Sequence, residues 1–257
     1  MTFAALLPAL GSGGLVGFTL GLVGGGGSIL ATPLLLYVVG VANPHVAIGT
    51  GALAVSVNAY ANLIAHAREG HVWWRCAILF ALAGTLGALL GSTLGLLMDG
   101  QRLLFLFGLV MVVVGGLMLR PRSSAAYEVR SVDTRMCVVT AIMAILTGAA
   151  SGFFGIGGGF LIVPALILAT GMPTINAVGS SLLAVGTFGL ATALNYARAG
   201  LVDWTAAAEF IAGGIGGGIL GMLLATRLSR SRTALNRIFA ALVLVVATYV
   251  LYRGWRG

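Results

Sequence analysis

Two glycine clusters carry the residues best suited to handling a ligand. They are Gly24-Gly25-Gly26-Gly27-Ser28, with Pro33 beyond, and Gly155-Ile156-Gly157-Gly158-Gly159, with Pro164 beyond. Each interrupts a long apolar stretch. Glycine weakens a helix by about 1 kcal/mol per residue relative to alanine, so a run of glycines marks a break. In lipid, backbone freed by a break is tolerated only against protein or a watery cavity. Matched breaks in two halves of a membrane protein point to a transport site. Polar side chains follow each break at helical spacing: Thr50, Asn58 and Asn62, then Ser180, Ser181, Thr187 and Asn195. Asn58 and Asn62 are four residues apart and share a helix face. Such groups either donate hydrogen bonds to a solute or join one membrane helix to the next.

The ionisable residues offer coupling chemistry. Glu209 is the one acid clearly inside an apolar run, a candidate for carrying a coupling proton or a side chain solvated near the interface. His45 and His66 lie near segment ends and belong to the residue type that titrates near neutral pH. Arg68 and Arg198 occupy matched positions, where they either draw anions into a vestibule or anchor loops. The sequence holds no metal-ligand cluster, no His-Glu-x-x-His pattern and no serine, cysteine or lysine set for catalysis. Gly152 to Gly159 lacks the register and strand-helix setting of a nucleotide loop. The reading is therefore a transporter without a cofactor or metal, not an enzyme.

The elements that position these residues are membrane helices. Of the 257 residues, 59% are hydrophobic and 8% charged, against about 25% charged in a soluble domain. All fourteen basic residues are arginine. They sit at the ends of apolar segments, so the +8 charge reads as topology and lipid headgroup contact, not nucleic-acid binding. Cys76 and Cys137 read as ordinary apolar residues near helix ends. Met1 to Leu20 has no basic leader region and reads as a retained membrane segment.

The chain is a tandem duplication. At offset 131, Gly17, Gly21, Gly26, Gly27, Pro33 and Gly40 match Gly148, Gly152, Gly157, Gly158, Pro164 and Gly171. At offset 130, Ala47, Gly49, Ala67-Arg68, Trp74, Gly84 and Arg102 match Ala177, Gly179, Ala197-Arg198, Trp204, Gly214 and Arg232. The halves are 1–119 and 134–257, joined by a polar linker, 120–133. Each has five apolar segments: 3–22, 28–41, 45–67, 74–98 and 102–119, then 136–154, 159–171, 175–197, 204–226 and 234–252. The expected fold is all-α and polytopic, with short or re-entrant glycine-broken helices near the centre.

Whether each glycine-joined pair crosses twice or re-enters, a half crosses an odd number of times. The two halves are then inverted repeats. One continuous helix of about 36 residues through about 30 Å of hydrocarbon is too long, which disfavours parallel halves. Inversion puts Arg68, Arg75, Arg120, Arg122, Arg130, Arg135, Arg227, Arg230, Arg232 and Arg237 on one side. Arg102, Arg198, Arg253 and Arg256 fall on the other, so the first side faces the cytoplasm. The glycines Gly84, Gly87, Gly91, Gly213, Gly214, Gly216, Gly217, Gly218 and Gly221 have the spacing of close helix contacts.

The glycine-to-proline motifs, the Ala177-Val178-Gly179-Ser180-Ser181 stretch and Asn195-Tyr196-Ala197-Arg198-Ala199-Gly200 resemble the TauE/SafE family of sulfite exporter permeases. The resemblance covers essentially the whole chain. It implies a secondary transporter of small sulfur-containing anions, namely sulfite, thiosulfate or organosulfonates, in a bacterial-type inner membrane. Such an oxyanion needs donors without being trapped, and helix N-terminal amides supply donors with partial positive charge. The helices starting at Ser28 and Gly159 would aim their N-termini at the protein centre. The candidate substrate contacts are Gly25, Gly26, Gly27, Ser28, Thr50, Asn58, Gly157, Gly158, Gly159, Ser180 and Ser181, with Glu209, Arg68 and Arg198 as coupling or vestibule residues. The expected partners are the anion, a coupling proton or cation, and lipid; oligomeric assembly stays open. A passive anion channel and a membrane scaffold are the alternatives.

Overall fold

The computed structural model describes residues 3–119, 134–155, 159–227 and 243–252. Among them every element is helical. In order, α1 is Phe3–Val23, a 3₁₀ helix is Gly24–Leu30, α2 is Ala31–Leu34 and a π-helical turn is Leu35–Val39. Then come α3 (Pro44–Arg68), α4 (Trp74–Leu97), α5 (Gly100–Leu119), α6 (Thr134–Phe154), α7 (Gly159–Thr170), α8 (Thr174–Arg198) and α9 (Trp204–Arg227). A last helix, α10, is Val243–Tyr252. Helices α3, α4, α6, α8 and α9 contain stretches long and apolar enough to cross a membrane. The polar starts are capped by side chains: Asn43 Oδ1 accepts from His45 N at 2.9 Å, and Asp203 Oδ1 accepts from Thr205 N and Ala206 N at 3.0 Å.

The outer surface is apolar. Leu82, Leu86, Leu90 and Leu94 form an exposed stripe at four-residue spacing on α4, and Ile215, Ile219 and Leu223 do the same on α9. Exposed Trp74 and Trp204 open these two helices, as interfacial aromatic belts require. This is the surface of a multi-pass membrane protein, because soluble proteins rarely leave such continuous patches uncovered.

Glycine lets the helices interlock. A Cβ on Gly13, Gly17 or Gly21 of α1 would run into the backbone of Phe210, Gly214 or Gly218 on α9. A Cβ on Gly148 or Gly152 of α6 would likewise meet Gly84 or Ala88 on α4. Both pairs run in register and are therefore parallel. Each pair maps onto the other under the sequence offsets. The glycines of α4 and α9 singled out for packing all meet neighbouring backbone or side chains, except Gly216, which has nothing within 4 Å.

Helices α3 and α8 cross at the middle of the bundle and run antiparallel. The Ser56 hydroxyl donates to the Gly186 carbonyl at 2.7 Å at their midpoint. Gly49, near the start of α3, abuts Leu201 beyond the end of α8, and Gly179 near the start of α8 abuts His71 beyond the end of α3. Arg68, Arg75, Arg135 and Arg227 consequently belong to helix ends on one side of the bundle, and Arg102 and Arg198 to ends on the other.

Candidate functional site

The first glycine cluster is not an open loop. It follows α1 as a tightened 3₁₀ helix, in which most amides bond carbonyls three residues earlier, and it folds back against α1. The direction of the chain changes at Gly24, whose φ is +75°, and at its sequence mate Gly155, whose φ is +66°. Only glycine adopts this left-handed backbone routinely. The seven residues of the 3₁₀ stretch rise about 14 Å at ~2 Å each. The nine residues from Ala31 to Val39 add about 13 Å at ~1.5 Å each. A short segment thereby covers the height of the bundle, and 24–39 runs from one end to the other and does not re-enter.

This geometry corrects one expectation. Gly24 packs on Val178 in the first turns of α8, and Gly155 packs on Ile48 in the first turns of α3. Because α3 and α8 are antiparallel, the breaks lie toward opposite ends of the bundle. Along α3 they are about 25 Å apart at ~1.5 Å per residue. Their N-termini do not converge on one central point. What meets at the centre is the body of each short segment: the 3₁₀ helix packs on α7, and both lie on α8. Ile29, Leu30, Leu35, Ile162 and Leu166 are fully buried there.

The expected contact residues separate into groups. Gly157 and Gly158 lie outside the described residues. Gly25, Gly26, Gly27 and Ser28 form the 3₁₀ helix, with Ser28 fully buried. Gly159 opens α7 and is buried. Thr50 and Ser180, both fully buried, face the connections between helices. Thr50 Oγ1 accepts from the Asp203 amide at 2.9 Å, and Ser180 Oγ accepts from the Trp73 amide at 2.9 Å. Ser181 donates to the Val178 carbonyl at 2.8 Å within its own helix. Asn195 joins α8 to α4 through Ser92 at 2.9 Å and Thr93 at 3.1 Å. Thr187 donates to its own helix, to Leu183 O and Ala184 O at 3.0 Å.

Asn58 differs from these. It is 0% exposed, and neither its amide nitrogen nor its oxygen has a partner. It fills the notch left by Gly214 on α9, level with Gly17 of α1. Asn62 lies one turn along, donates to the Asn58 carbonyl at 2.8 Å, and faces Gly218 and Gly21. In the matching notch at Gly84 sits Phe188. The two notches therefore hold an amide in one place and a phenyl ring in the other. Thr32, not singled out by its sequence, is 1% exposed on α2 with an unpartnered hydroxyl beside Gly51. Its threonine-proline setting next to the glycine cluster is the one signal in the sequence that marks it. Glu209 has a buried, unpartnered carboxylate oxygen in the second turn of α9. Arg68 and Arg198 are exposed at opposite ends. Among the described residues no group of three His, Cys, Asp or Glu side chains could hold a metal.

Buried donors without partners, Asn58 on α3 and Thr32 on the short α2, in a lipid-facing bundle fit a solute-handling membrane protein. The family described as Sulfite exporter TauE/SafE matches residues 9–250. The chain belongs to the TauE/SafE family. It is 71% identical to a "Probable membrane transporter protein" of Xylella fastidiosa (strain 9a5c), over 99% of this chain and 98% of the relative. It is 27% identical to the "Probable membrane transporter protein YunE" of Bacillus subtilis (strain 168), over 94% of this chain and 96% of the relative. A "Probable membrane transporter protein MJ0441" of Methanocaldococcus jannaschii shares 27% identity over 65% of this chain. No solved structure gives a significant match. This TauE/SafE chain is a membrane transporter and not an enzyme, and its transported solute must be argued from the site.

Proposed function

We propose that this protein is a secondary transporter of small sulfur-containing anions, namely sulfite, thiosulfate or organosulfonates. It works by alternating access between two inverted halves, 1–119 and 134–257. The observation that carries the reading is the pairing of helices. Parallel α1–α9 and α4–α6 exchange under the sequence offsets, while α3 and its mate α8 run antiparallel. Two bodies related in this way can rock about the α3–α8 crossing, opening first one end and then the other.

The anion is held near the crossing by neutral donors. The candidate donors are Ser28 and Thr32 on the short segment, Ser181 on α8, and the backbone of Gly51, which adjoins Thr32, and of Gly159. Uncharged donors bind an oxyanion firmly enough to desolvate it and weakly enough to release it. The side bearing Arg68, Arg75, Arg135 and Arg227 faces the cytoplasm by the positive-inside rule. Arg198 and Arg102 at the other mouth attract anions by long-range charge.

Counterflow tests this. Purified protein in liposomes loaded with unlabelled sulfite, thiosulfate or an alkyl sulfonate should accumulate the labelled anion transiently. No saturable exchange of any of the three refutes the substrate class. Flux that simply equilibrates, without counterflow, favours a channel.

A further inference from the structure

The face of α3 that carries Asn58 and Asn62 continues, four residues on, to His66. His66 is 3% exposed, and neither ring nitrogen has a hydrogen-bond partner. A buried, unpartnered imidazole in a membrane helix costs stability and is a functional candidate by default. Its surroundings show what it could bind. The ring faces the backbone of Gly21, in the last turn of α1. Three residues later α1 gives way to the 3₁₀ helix. Helix α1 ends at Val23 and the chain turns at Gly24, so the Gly21 carbonyl is among the last four, which a helix leaves without an intrahelical amide. That carbonyl sits at the negative end of the α1 dipole, where a cation is favoured.

Asn62, one turn before His66, fills the space between α1 and α9. A Cβ on Gly218 would come within 2.6 Å of Asn62 Nδ2, and a Cβ on Gly21 within 3.0 Å of Asn62 Oδ1. A ligand that needs no volume fits, and that is a proton. We propose that His66 is the proton-binding site of this transporter: protonated, it makes a charged hydrogen bond to the Gly21 carbonyl at the end of α1 and holds the α1–3₁₀ break closed. Neutral imidazole keeps one N–H, so deprotonation weakens that bond to an ordinary one and loosens that end. This rests on the transport reading above and names its coupling ion.

The groups around His66 suit the role. Glu69 and His71, in the connection to α4, act on it electrostatically, and the His71 ring centroid is 5.8 Å away. Arg68 follows on α3, and Arg75 lies in the first turn of α4. Helix α1 and the first turns of α8 carry no titratable side chain, and α9 carries only Glu209, in its second turn, and Arg227, its last residue. Glu69 and His71 connect the buried ring to the cytoplasmic-type, arginine-rich end, giving a proton a short route in and out. The position matching His66 is Tyr196, whose residue type titrates near pH ~10.

Two measurements test this. First, backbone hydrogen–deuterium exchange of residues 18–30 in nanodiscs is compared between pH 8 and pH 5.5, corrected for intrinsic rates. Protection should rise about tenfold at the lower pH, as one charged hydrogen bond would give. His71→Gln should keep that rise and His66→Gln should lose it. Equal protection at both pH values in the unaltered protein overturns the proposal, whether or not any anion is transported. Second, in liposomes an internal pH dye should report protons moving with the anion. His66→Gln should keep counterflow exchange but lose proton-linked accumulation. Anion transport with no proton movement in the unaltered protein also overturns the assignment. Absence of anion exchange together with intact pH-dependent protection refutes the substrate class and leaves the proton site standing.

Discussion

Replacing Gly17 by alanine tests the interlock between α1 and α9 most directly. The added Cβ would land on the Gly214 carbonyl, so two helix backbones must separate, with no flexible side chain to yield. Gly216→Ala is its control, because that position lies on the same α9 but has nothing within 4 Å. Both changes replace glycine within a helix, so the propensity gain of about 1 kcal/mol is common to both and cancels. What remains is the steric penalty, about 1–3 kcal/mol for overpacking. For a chain of this size about 1 kcal/mol moves the melting temperature by roughly 2–4 °C. Gly17→Ala should therefore melt several degrees below Gly216→Ala in one detergent, followed by tryptophan fluorescence. Gly148→Ala, which meets Gly84 in the same way, should behave like Gly17→Ala. Equal melting of Gly17→Ala and Gly216→Ala would show that α1 and α9 do not touch through backbone, and the helix pairing argued above would fall with it.

Gly24→Ala should destabilise more than Gly70→Ala. Both have φ above +70° and share about 1–2 kcal/mol of left-handed strain, but only at Gly24 would the added Cβ also crowd Val178, coming within 2.8 Å of its Cγ1. Thermal melts of the two variants check this. Thr50→Val and Ser180→Ala each leave a backbone amide, that of Asp203 or Trp73, without its acceptor. Each should cost about 1–3 kcal/mol and speed exchange of that amide, read by mass spectrometry. Asn58→Leu removes two buried, unpartnered polar atoms. It should raise the melting temperature, and a lowered melting temperature would mean that the amide is bonded in the native protein.

The helices were legible in the sequence because lipid permits few alternatives. Apolar runs broken by glycine and ended by arginine gave segments whose bounds match α3, α4, α6, α8 and α9 within two residues. Packing glycines were legible for the same reason, since small residues at helical spacing on an apolar helix have few other uses. The donors were less legible. Thr50, Ser180 and Asn195 have the residue types of ligand contacts, yet they hold helix connections and helix pairs together. Residue type states what a group can donate or accept, and only the neighbour decides what it meets. His66 shows the converse. Alone it reads as a histidine near a helix end, and it gains meaning only when Gly21 is found against it.

Sequence by itself determined that this chain lives in a bilayer, that its helices come in matched sets, and that two glycine clusters interrupt them. Those are properties of composition and spacing, which the hydrophobic effect and backbone hydrogen bonding translate directly into helices. Tertiary structure alone decided that the breaks stay apart and do not meet at the centre, that the first is followed by a 3₁₀ helix, and that Asn58 and Phe188 occupy matching notches. Those depend on which backbone lies against which, and contacts between residues more than a hundred positions apart leave no local pattern to read.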